Sequence, residues 1–393
     1  MTLLDPSRVA DLLNRAPVAV LVLPERCLNR RHKESRCALC LACPTGAVTA
    51  TGSTIQVDAA ACRSCGLCFS VCPTEAFAVQ GPSLPDLLRI GAEWRGQALE
   101  VACLRRPAAS SASTDAAAVL VLPCLAWLSE ALAVAWVAAG VSRLYLDDTH
   151  CATCEIGDAR GPFTEASARA ESLLRAAGRP ESIALVSAMA ADAPARTVPV
   201  IDPKKPAYSR RGLFGALSRS VAQAAATAAD ERMPSSPARK LAPLNPSQSA
   251  LQAAAVARLA AQAETESTGT EVPVGSIVVG EACTACGLCT KLCPTGAVVL
   301  HQNEEAYQLE VTTARCLGSE CGLCRLVCPV QAVSVVSTSS LAEAGSGSAR
   351  VLRAGALTKC AKCGTPTAAT EGEVLCHVCS WTSRVAAGRQ PGK

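Results

Sequence analysis

The sequence predicts an α+β chain in which two units of eight cysteines lie on either side of a parallel α/β domain, followed by a four-cysteine module. The cysteines fall into four groups: eight within 27–72, four within 103–154, eight within 283–328 and four within 360–379. The first and third groups share the segment CPTGAV, at 43–48 and 293–298, which indicates an internal duplication. Between them, apolar runs of strand length alternate with helical patterns, as in a parallel sheet with crossover helices.

The composition limits the class of protein. A chain of 393 residues can form more than one core, so we expect two to four domains. Most of the 24 cysteines occur in C-x2-C runs, which are metal-ligand spacings typical of compartments that keep thiols reduced, and we expect a cytoplasmic location. A net charge of +4 and an aromatic content of 3% argue against a nucleic-acid partner.

The domain boundaries follow from the gaps between the cysteine groups and from an Ala/Ser/Pro-rich stretch near 200–275. The most apolar stretch, 116–141, is interrupted by Pro123, Ser129 and Glu130 and fits a buried strand, a turn and a helix. We therefore expect no membrane span, with peripheral association left open. The predicted domains are 1–82 (first cysteine unit), 83–200 (α/β domain), 201–274 (linker with helices at 211–230 and 248–264), 275–337 (second cysteine unit) and 352–384 (C-terminal module).

The strongest motif is C-x2-C-x2-C-x3-C-P, which occurs as CRSCGLCFSVCP at 62–73 and as CTACGLCTKLCP at 283–294. In this spacing the first three thiolates wrap around one iron–sulfur cubane, and the fourth, before proline, ligates a second cluster. The glycine lets the backbone approach the inorganic sulfides, to which N–H groups can then donate. The proline and the triple spacing favour iron–sulfur clusters over disulfides or zinc.

Both units resemble bacterial two-cluster ferredoxins, whose fold consists of two pseudo-symmetric β-α-β halves that exchange their fourth cysteine. In the second unit the partner half is CLGSECGLCRLVCP at 316–329, in which four residues instead of two follow the first cysteine. The resemblance implies two [4Fe–4S] clusters in this unit. One would be held by Cys283, Cys286, Cys289 and Cys328, and the other by Cys316, Cys321, Cys324 and Cys293.

The first unit departs from the ferredoxin pattern because CALCLACPTGAV, at 37–48, has only two residues before Cys43 and is one cysteine short. Upstream, Cys27 precedes the nine-residue loop LNRRHKESR, whose basic side chains would favour an anionic cluster. A longer first loop costs little, because closure entropy grows logarithmically with length. The alternative is a three-iron cluster with Cys27 as a free thiol. The exchange implies one cluster on Cys43, Cys62, Cys65 and Cys68 and one on Cys37, Cys40, Cys72 and Cys27.

Residues 85–200 predict a parallel sheet, with strands within 98–105, 117–125, 142–151 and 182–188 and helices at 129–140 and 162–178. Four cysteines fall at or just after the carboxyl ends of three of these strands, where open parallel sheets bind ligands. A cysteine at a strand end is more often a core residue, but the C-x2-C pair in THCATCEIG favours a metal centre. Its ligands would be Cys103, Cys124, Cys151 and Cys154.

This pattern resembles the iron–sulfur (delta) subunit of methyl-viologen-reducing hydrogenases. The resemblance implies a two-iron cluster on the α/β domain, and a [4Fe–4S] cluster and zinc are the alternatives. A thioredoxin-type redox pair at Cys151 and Cys154 is a further interpretation, which the two additional cysteines disfavour.

The last four cysteines form CAKCGTPTAATEGEVLCHVC, a C-x2-C-x12-C-x2-C pattern. Two such knuckles create a tetrahedral S4 site, which favours a structural zinc ribbon, with a rubredoxin-like single iron as the alternative. His377, between two of the cysteines, is expected to face solvent. The predicted zinc ligands are Cys360, Cys363, Cys376 and Cys379.

The predicted fold class is therefore α+β: two ferredoxin-like β-α-β units flanking a parallel α/β domain, plus a small C-terminal zinc ribbon. The sequence contains no G-x-G-x-x-G, P-loop or G-x-S-x-G motif, so we expect no catalytic residues outside the clusters. We expect an electron-transfer subunit or adaptor with four [4Fe–4S] clusters, a fifth centre and one zinc, acting between redox protein partners. An accessory or assembly factor for a redox metalloenzyme is the first alternative, and a catalytic reductase is the second.

Overall fold

The computed structural model describes residues 20–32, 37–52, 54–79, 81–105, 111–112, 114–189, 196–203, 243–244, 246–263, 272–338, 340–368 and 374–386. The helix predicted at 211–230 and most of the predicted linker lie outside these ranges. Within them, no helix combines the length and apolar character that crossing a membrane requires.

The first cysteine unit consists of two antiparallel strand pairs with the cysteine loops between them. Strand β1 (Val20–Val22) pairs with β4 (Phe77–Val79), and β2 (Val48–Thr51) pairs with β3 (Thr54–Val57). Two single-turn helices, α1 (Leu28–Arg31) and α2 (Leu67–Ser70), follow Cys27 and Gly66. The small core formed by these elements packs directly against the cysteine sulfurs, because Val20 and Phe77 share one apolar cluster with Cys27 and Cys40.

The middle domain contains a five-stranded sheet with the order β11-β7-β5-β8-β9 and only parallel pairings. Its central strands are almost entirely buried, and they are apolar runs interrupted only by Glu100 in β5, rather than alternating ones. The fourth helix begins where the Ser129 hydroxyl accepts the Leu132 N–H and ends at Gly140, whose φ is 114°. The strands are β5 (Ala98–Cys103), β6 (Ser111–Ala112), β7 (Ala118–Leu122), β8 (Arg143–Leu146), β9 (Ile183–Leu185), β10 (Arg196–Thr197) and β11 (Val200–Ile201), and the helices are α3 (Leu84–Glu93), α4 (Glu130–Ala139) and α5 (Arg160–Ala176).

Helix α6 (Ser247–Gln262), at the end of the predicted linker, joins all three parts of the protein. Its residues Val256 and Leu259 are buried in the same core as α4 and the last short helix, α9 (Leu341–Gly345). The carboxylate of Glu75, from the first unit, accepts the Gln248 N–H at 2.7 Å at the start of α6. This part of the predicted linker is thus an ordered helix that contacts both cysteine units.

The second cysteine unit repeats the first and is continuous with the C-terminal module. Strand β12 pairs with β15, and β13, β14, β16 and β17 form one four-stranded antiparallel sheet. The amide of Ala368 also donates to the carbonyl of Thr284 at 3.2 Å. The segment 338–351, between the second predicted cysteine unit and the predicted C-terminal module, contains α9 and the start of β16. The elements are β12 (Val272–Val279), β13 (Val298–Gln302), β14 (Ala306–Val311), β15 (Val333–Thr338), β16 (Arg350–Lys359), β17 (Pro366–Ala368), α7 (Leu288–Leu292), α8 (Leu323–Leu326) and α10 (His377–Ala386).

Candidate metal centres

The eight cysteines of the first unit lie in two groups, which we name site 1 and site 2. In site 1 the charges of Cys27 and Cys72 raise the pKa values of Cys37 and Cys40. In site 2 the charges of Cys43 and Cys62 act on Cys65 and Cys68. Site 1 comprises Cys27, Cys37, Cys40 and Cys72, and site 2 comprises Cys43, Cys62, Cys65 and Cys68.

The second unit contains the corresponding sites 3 and 4. The charge of Cys293 raises the pKa of Cys316, Cys321 and Cys324, although Cys293 lies on the other half of the unit. Likewise, Cys328 acts on Cys283 across the unit. Site 3 comprises Cys293, Cys316, Cys321 and Cys324, and site 4 comprises Cys283, Cys286, Cys289 and Cys328.

The donor chemistry of these sites fits a cationic centre. Burial, together with the charges of the neighbouring cysteines, raises the pKa of Cys40, Cys68 and Cys289 to about 12. Neighbouring thiols with raised pKa values ionise together only when a positive charge compensates them. Iron held by the four sulfurs would supply that charge.

The backbone around these sites also fits thiolate-bound clusters. Gly66, Gly287 and Gly322, the glycines of the three C-G-L-C segments, have φ values of 79°, 70° and 52° and precede the short helices. Amides donate to two exchanged cysteines, Ala76 N to Cys72 Sγ at 3.3 Å and Ala332 N to Cys328 Sγ at 3.2 Å. Such N–H···S bonds stabilise a negatively charged centre.

Three of the exchanged cysteines are each followed, two residues later, by a threonine that the sequence analysis did not identify as part of the sites. The Thr45 and Thr74 hydroxyls each lie 3.6 Å from a sulfur, that of Cys43 and that of Cys72 respectively. Thr295 repeats this arrangement in the second unit, with its hydroxyl 3.8 Å from the sulfur of its cysteine. The signal was available in the sequence, because C-P-T occurs at 43–45, 72–74 and 293–295.

The four cysteines of the α/β domain line one cavity of about 190 Å³ at the carboxyl edge of the sheet. Cys103 ends β5, Cys124 follows β7, and Cys151 and Cys154 lie on the turn after β8. Burial, with added charge from Cys103, raises the pKa of Cys151 to about 11. We call this group the middle site, and its four thiols, one buried and three half-buried, fit a metal centre for the reason given for sites 1–4.

A buried carboxylate supports the loop that carries Cys151. The Asp148 carboxylate accepts hydrogen bonds from Arg160 Nη2 at 2.8 Å and from the Ser187 hydroxyl at 2.7 Å. Its backbone carbonyl accepts the Cys151 N–H at 3.0 Å. Burial opposes ionisation of Asp148, but the hydrogen bonds from Ser187 and Arg160 prevail and lower its pKa. The ion pair thus fixes the loop geometry at the middle site.

The C-terminal quartet consists of Cys360, Cys363, Cys376 and Cys379, whose sulfurs all lie within 4.8 Å of one another. The Cys376 N–H donates to Cys360 Sγ at 3.2 Å, and this bond lowers the pKa of Cys360 to about 6. Such a compact set of four thiols can hold one metal ion. His377 is half-buried and does not belong to the group.

The sites lie in series rather than apart. The middle site adjoins site 2. The charge of Cys65 raises the pKa of Cys124, and these two cysteines pack against the same small apolar cluster, which contains Ala126. Within the second unit, Cys324 of site 3 acts on Cys289 of site 4.

Sites 1 and 3 meet across the boundary between the two cysteine units. Arg31, only 7% exposed and four residues after Cys27, interacts electrostatically with Cys293 and Cys321 of site 3. Cys72 and Cys316 also line one cavity, of about 710 Å³, between the two units. Sites 1 and 2 belong to the same unit, and their cysteines pack against one small apolar core. These contacts place the sites in the order middle site, site 2, site 1, site 3, site 4.

Comparison with protein families gives two matches. A 4Fe–4S dicluster domain model matches residues 282–332, and a 4Fe–4S binding domain model matches residues 54–77. No curated protein and no solved structure matched the chain. Both matched ranges exclude the middle site, the C-terminal quartet and the cysteines of the first unit that precede residue 54. The hydrogenase-like segment, the zinc ribbon and the cluster assignments of those upstream cysteines therefore stay predictions. The chain therefore carries 4Fe–4S ferredoxin-type domains in both cysteine units, which indicates an iron–sulfur electron-transfer protein with redox partners.

Proposed function

We propose that this protein is an adaptor that passes electrons between two redox proteins through a line of five iron–sulfur centres. In this proposal, sites 1–4 each hold a [4Fe–4S] cluster, the middle site holds the fifth centre, and the C-terminal quartet holds zinc. The serial order of the cysteine sites, from the middle site to site 4, is the observation that carries the proposal.

The residues between neighbouring sites fit this role. Leu67 and Ala126 are each 2% exposed and exclude water between site 2 and the middle site. Arg31 brings a buried positive charge to the junction of sites 1 and 3, where two sets of thiolates come close together. Helix α6 fixes this junction, because it contacts Glu75 of the first unit and packs into the core with α9 of the second.

Bound clusters would supply one-electron transfer, with potentials set by hydrogen bonding, charge and exposure. The protein's own contribution is to bind, bury and space the centres. Amides and threonine hydroxyls at the exchanged cysteines stabilise negative charge on sulfur, as Ala76 and Thr74 do at Cys72. The ordered contacts between the two cysteine units favour one continuous electron path through both units over two units that work independently.

The proposal can be tested by breaking the line at site 1. Cys40→Ser removes a ligand that is 7% exposed, and it should lower the iron content and slow electron transfer from a low-potential donor to an acceptor. Cys363→Ser is the matched control, because it alters the C-terminal quartet, which lies outside the line. Equal transfer rates in the two variants would contradict the serial path, and a wild-type protein that accepts no electrons would contradict the function itself.

A further inference from the structure

Trp127 lies between the middle site and site 2. It ends the turn Leu125–Trp127, which directly follows Cys124, and its backbone N–H donates to the Cys124 carbonyl at 3.1 Å. The side chain is 3% exposed, and its ring lies 5.6 Å from that of Phe69, which belongs to the α2 helix of site 2. The residue thus belongs to one domain and packs against the cysteine loop of another.

Two glycines make room for this ring. A Cβ atom on Gly66, between Cys65 and Cys68 in the site 2 loop, would lie 2.5 Å from Trp127 Nε1. A Cβ atom on Gly81 would lie 2.3 Å from Trp127 Cζ2. The indole therefore rests directly on the backbone of the loop, with its nitrogen towards the C-G-L-C segment.

The indole N–H of Trp127 is buried and has no hydrogen-bond partner among the described residues. Buried tryptophans usually satisfy this donor, as Trp136 does by donating to the Leu87 carbonyl at 2.8 Å. Trp136 packs over Gly91 just as Trp127 packs over Gly66, so the two indoles differ mainly in whether a protein acceptor is present. An unsatisfied N–H next to a cysteine loop indicates an acceptor that belongs to the bound group.

We propose that the Trp127 indole N–H donates a hydrogen bond to a sulfur of the iron–sulfur centre held by Cys43, Cys62, Cys65 and Cys68. This inference rests on the proposed function, because it requires a cluster at site 2. A donor to sulfur stabilises the reduced, more negative state, so Trp127 raises the reduction potential of this centre. Through Trp127, the α/β domain therefore helps to set the reduction potential of the centre at site 2.

The test uses the full chain, purified anaerobically and labelled with ¹⁵N in the indole ring. Pulsed EPR of the reduced protein should show a hyperfine coupling from an indole nitrogen, and Trp127→Phe should abolish it. The same variant should lower the midpoint potential of one cluster in an EPR-monitored titration. Trp136→Phe is the matched control, because it removes a buried indole whose N–H already donates to the Leu87 carbonyl, and it should change neither readout.

The outcomes separate this inference from the proposed function. Reducible clusters without any indole nitrogen coupling in the wild-type protein would overturn the hydrogen bond, whether or not the variant folds. An unchanged set of potentials in Trp127→Phe would overturn it as well. A protein whose site 2 contains no iron would overturn the proposed function and this inference together.

Discussion

Replacing Gly66 with alanine tests the contact between the first cysteine unit and the α/β domain. The new Cβ would lie 2.5 Å from Nε1 and 2.6 Å from Cδ1 of Trp127, so the ring must move away from the loop. Gly66 also has a φ of 79°, in the left-handed region that alanine disfavours by about 1–2 kcal/mol. Overpacking adds about 1–3 kcal/mol, because Trp127 belongs to the main core and cannot shift freely.

Gly46→Ala is the matched control for this substitution. Gly46 lies in the same unit with a φ of 64°, but a Cβ there would meet nothing within 4 Å. The control should therefore cost only the backbone part, about 1–2 kcal/mol, against about 2–5 kcal/mol for Gly66→Ala. Guanidinium unfolding under anaerobic conditions, followed by circular dichroism and by cluster bleaching, measures the difference. Equal destabilisation by the two variants would refute the packing argument.

Four further predictions concern the other sites. Arg31→Gln should lower the reduction potential of the site 3 centre, because a buried positive charge is lost, whereas exposed Arg30→Gln should leave that potential unchanged in an EPR-monitored titration. Asp148→Asn should destabilise the α/β domain by about 1.5–3 kcal/mol through the loss of charge-assisted hydrogen bonds, whereas exposed Asp158→Asn should have little effect on urea unfolding. Since the pKa of Asp148 is depressed below its ordinary 3.8, its stabilisation should be complete above about pH 4 and lost at lower pH as the folded group protonates. Cys376→Ser should remove zinc without lowering the iron content in elemental analysis, and a parallel loss of iron would argue against separate centres.

The cysteine spacing carried most of the information about the sites. Short loops between cysteines limit which sulfurs can meet. In the structure the charge of Cys43 acts on Cys65 and that of Cys72 acts on Cys27, and the assignment of these cysteines to clusters remains a prediction. The extra length after Cys316 becomes a single turn, Gly318–Glu320, against which Gly275 packs closely. That each group binds a cluster stays a prediction for the measurements above.

The contacts between domains could not be predicted from the sequence. Helix α6 is rich in alanine and continues a polar, proline-containing stretch, so its pattern indicates a linker, yet Val256 and Leu259 are each 1% exposed in the main core. Trp127 lies in an apolar run, where the sequence predicts only that a large side chain belongs to the core. Its contact with the cysteine loop at Gly66 becomes visible only in the structure. The pairing of β16 with β14 likewise depends on tertiary context, because β16 is mostly exposed and has no clear alternation.

The central claim is that the cysteine sites hold a connected set of iron–sulfur clusters. The most direct test is the iron, acid-labile sulfide and zinc content of anaerobically purified protein, combined with EPR after dithionite reduction. The account predicts about 16–18 irons with matching sulfide, one zinc, and reduced-cluster signals broadened by interaction between neighbouring centres. Roughly eight irons or fewer, with little sulfide and several zinc ions, would contradict it and leave a protein whose cysteines serve mainly to stabilise its fold.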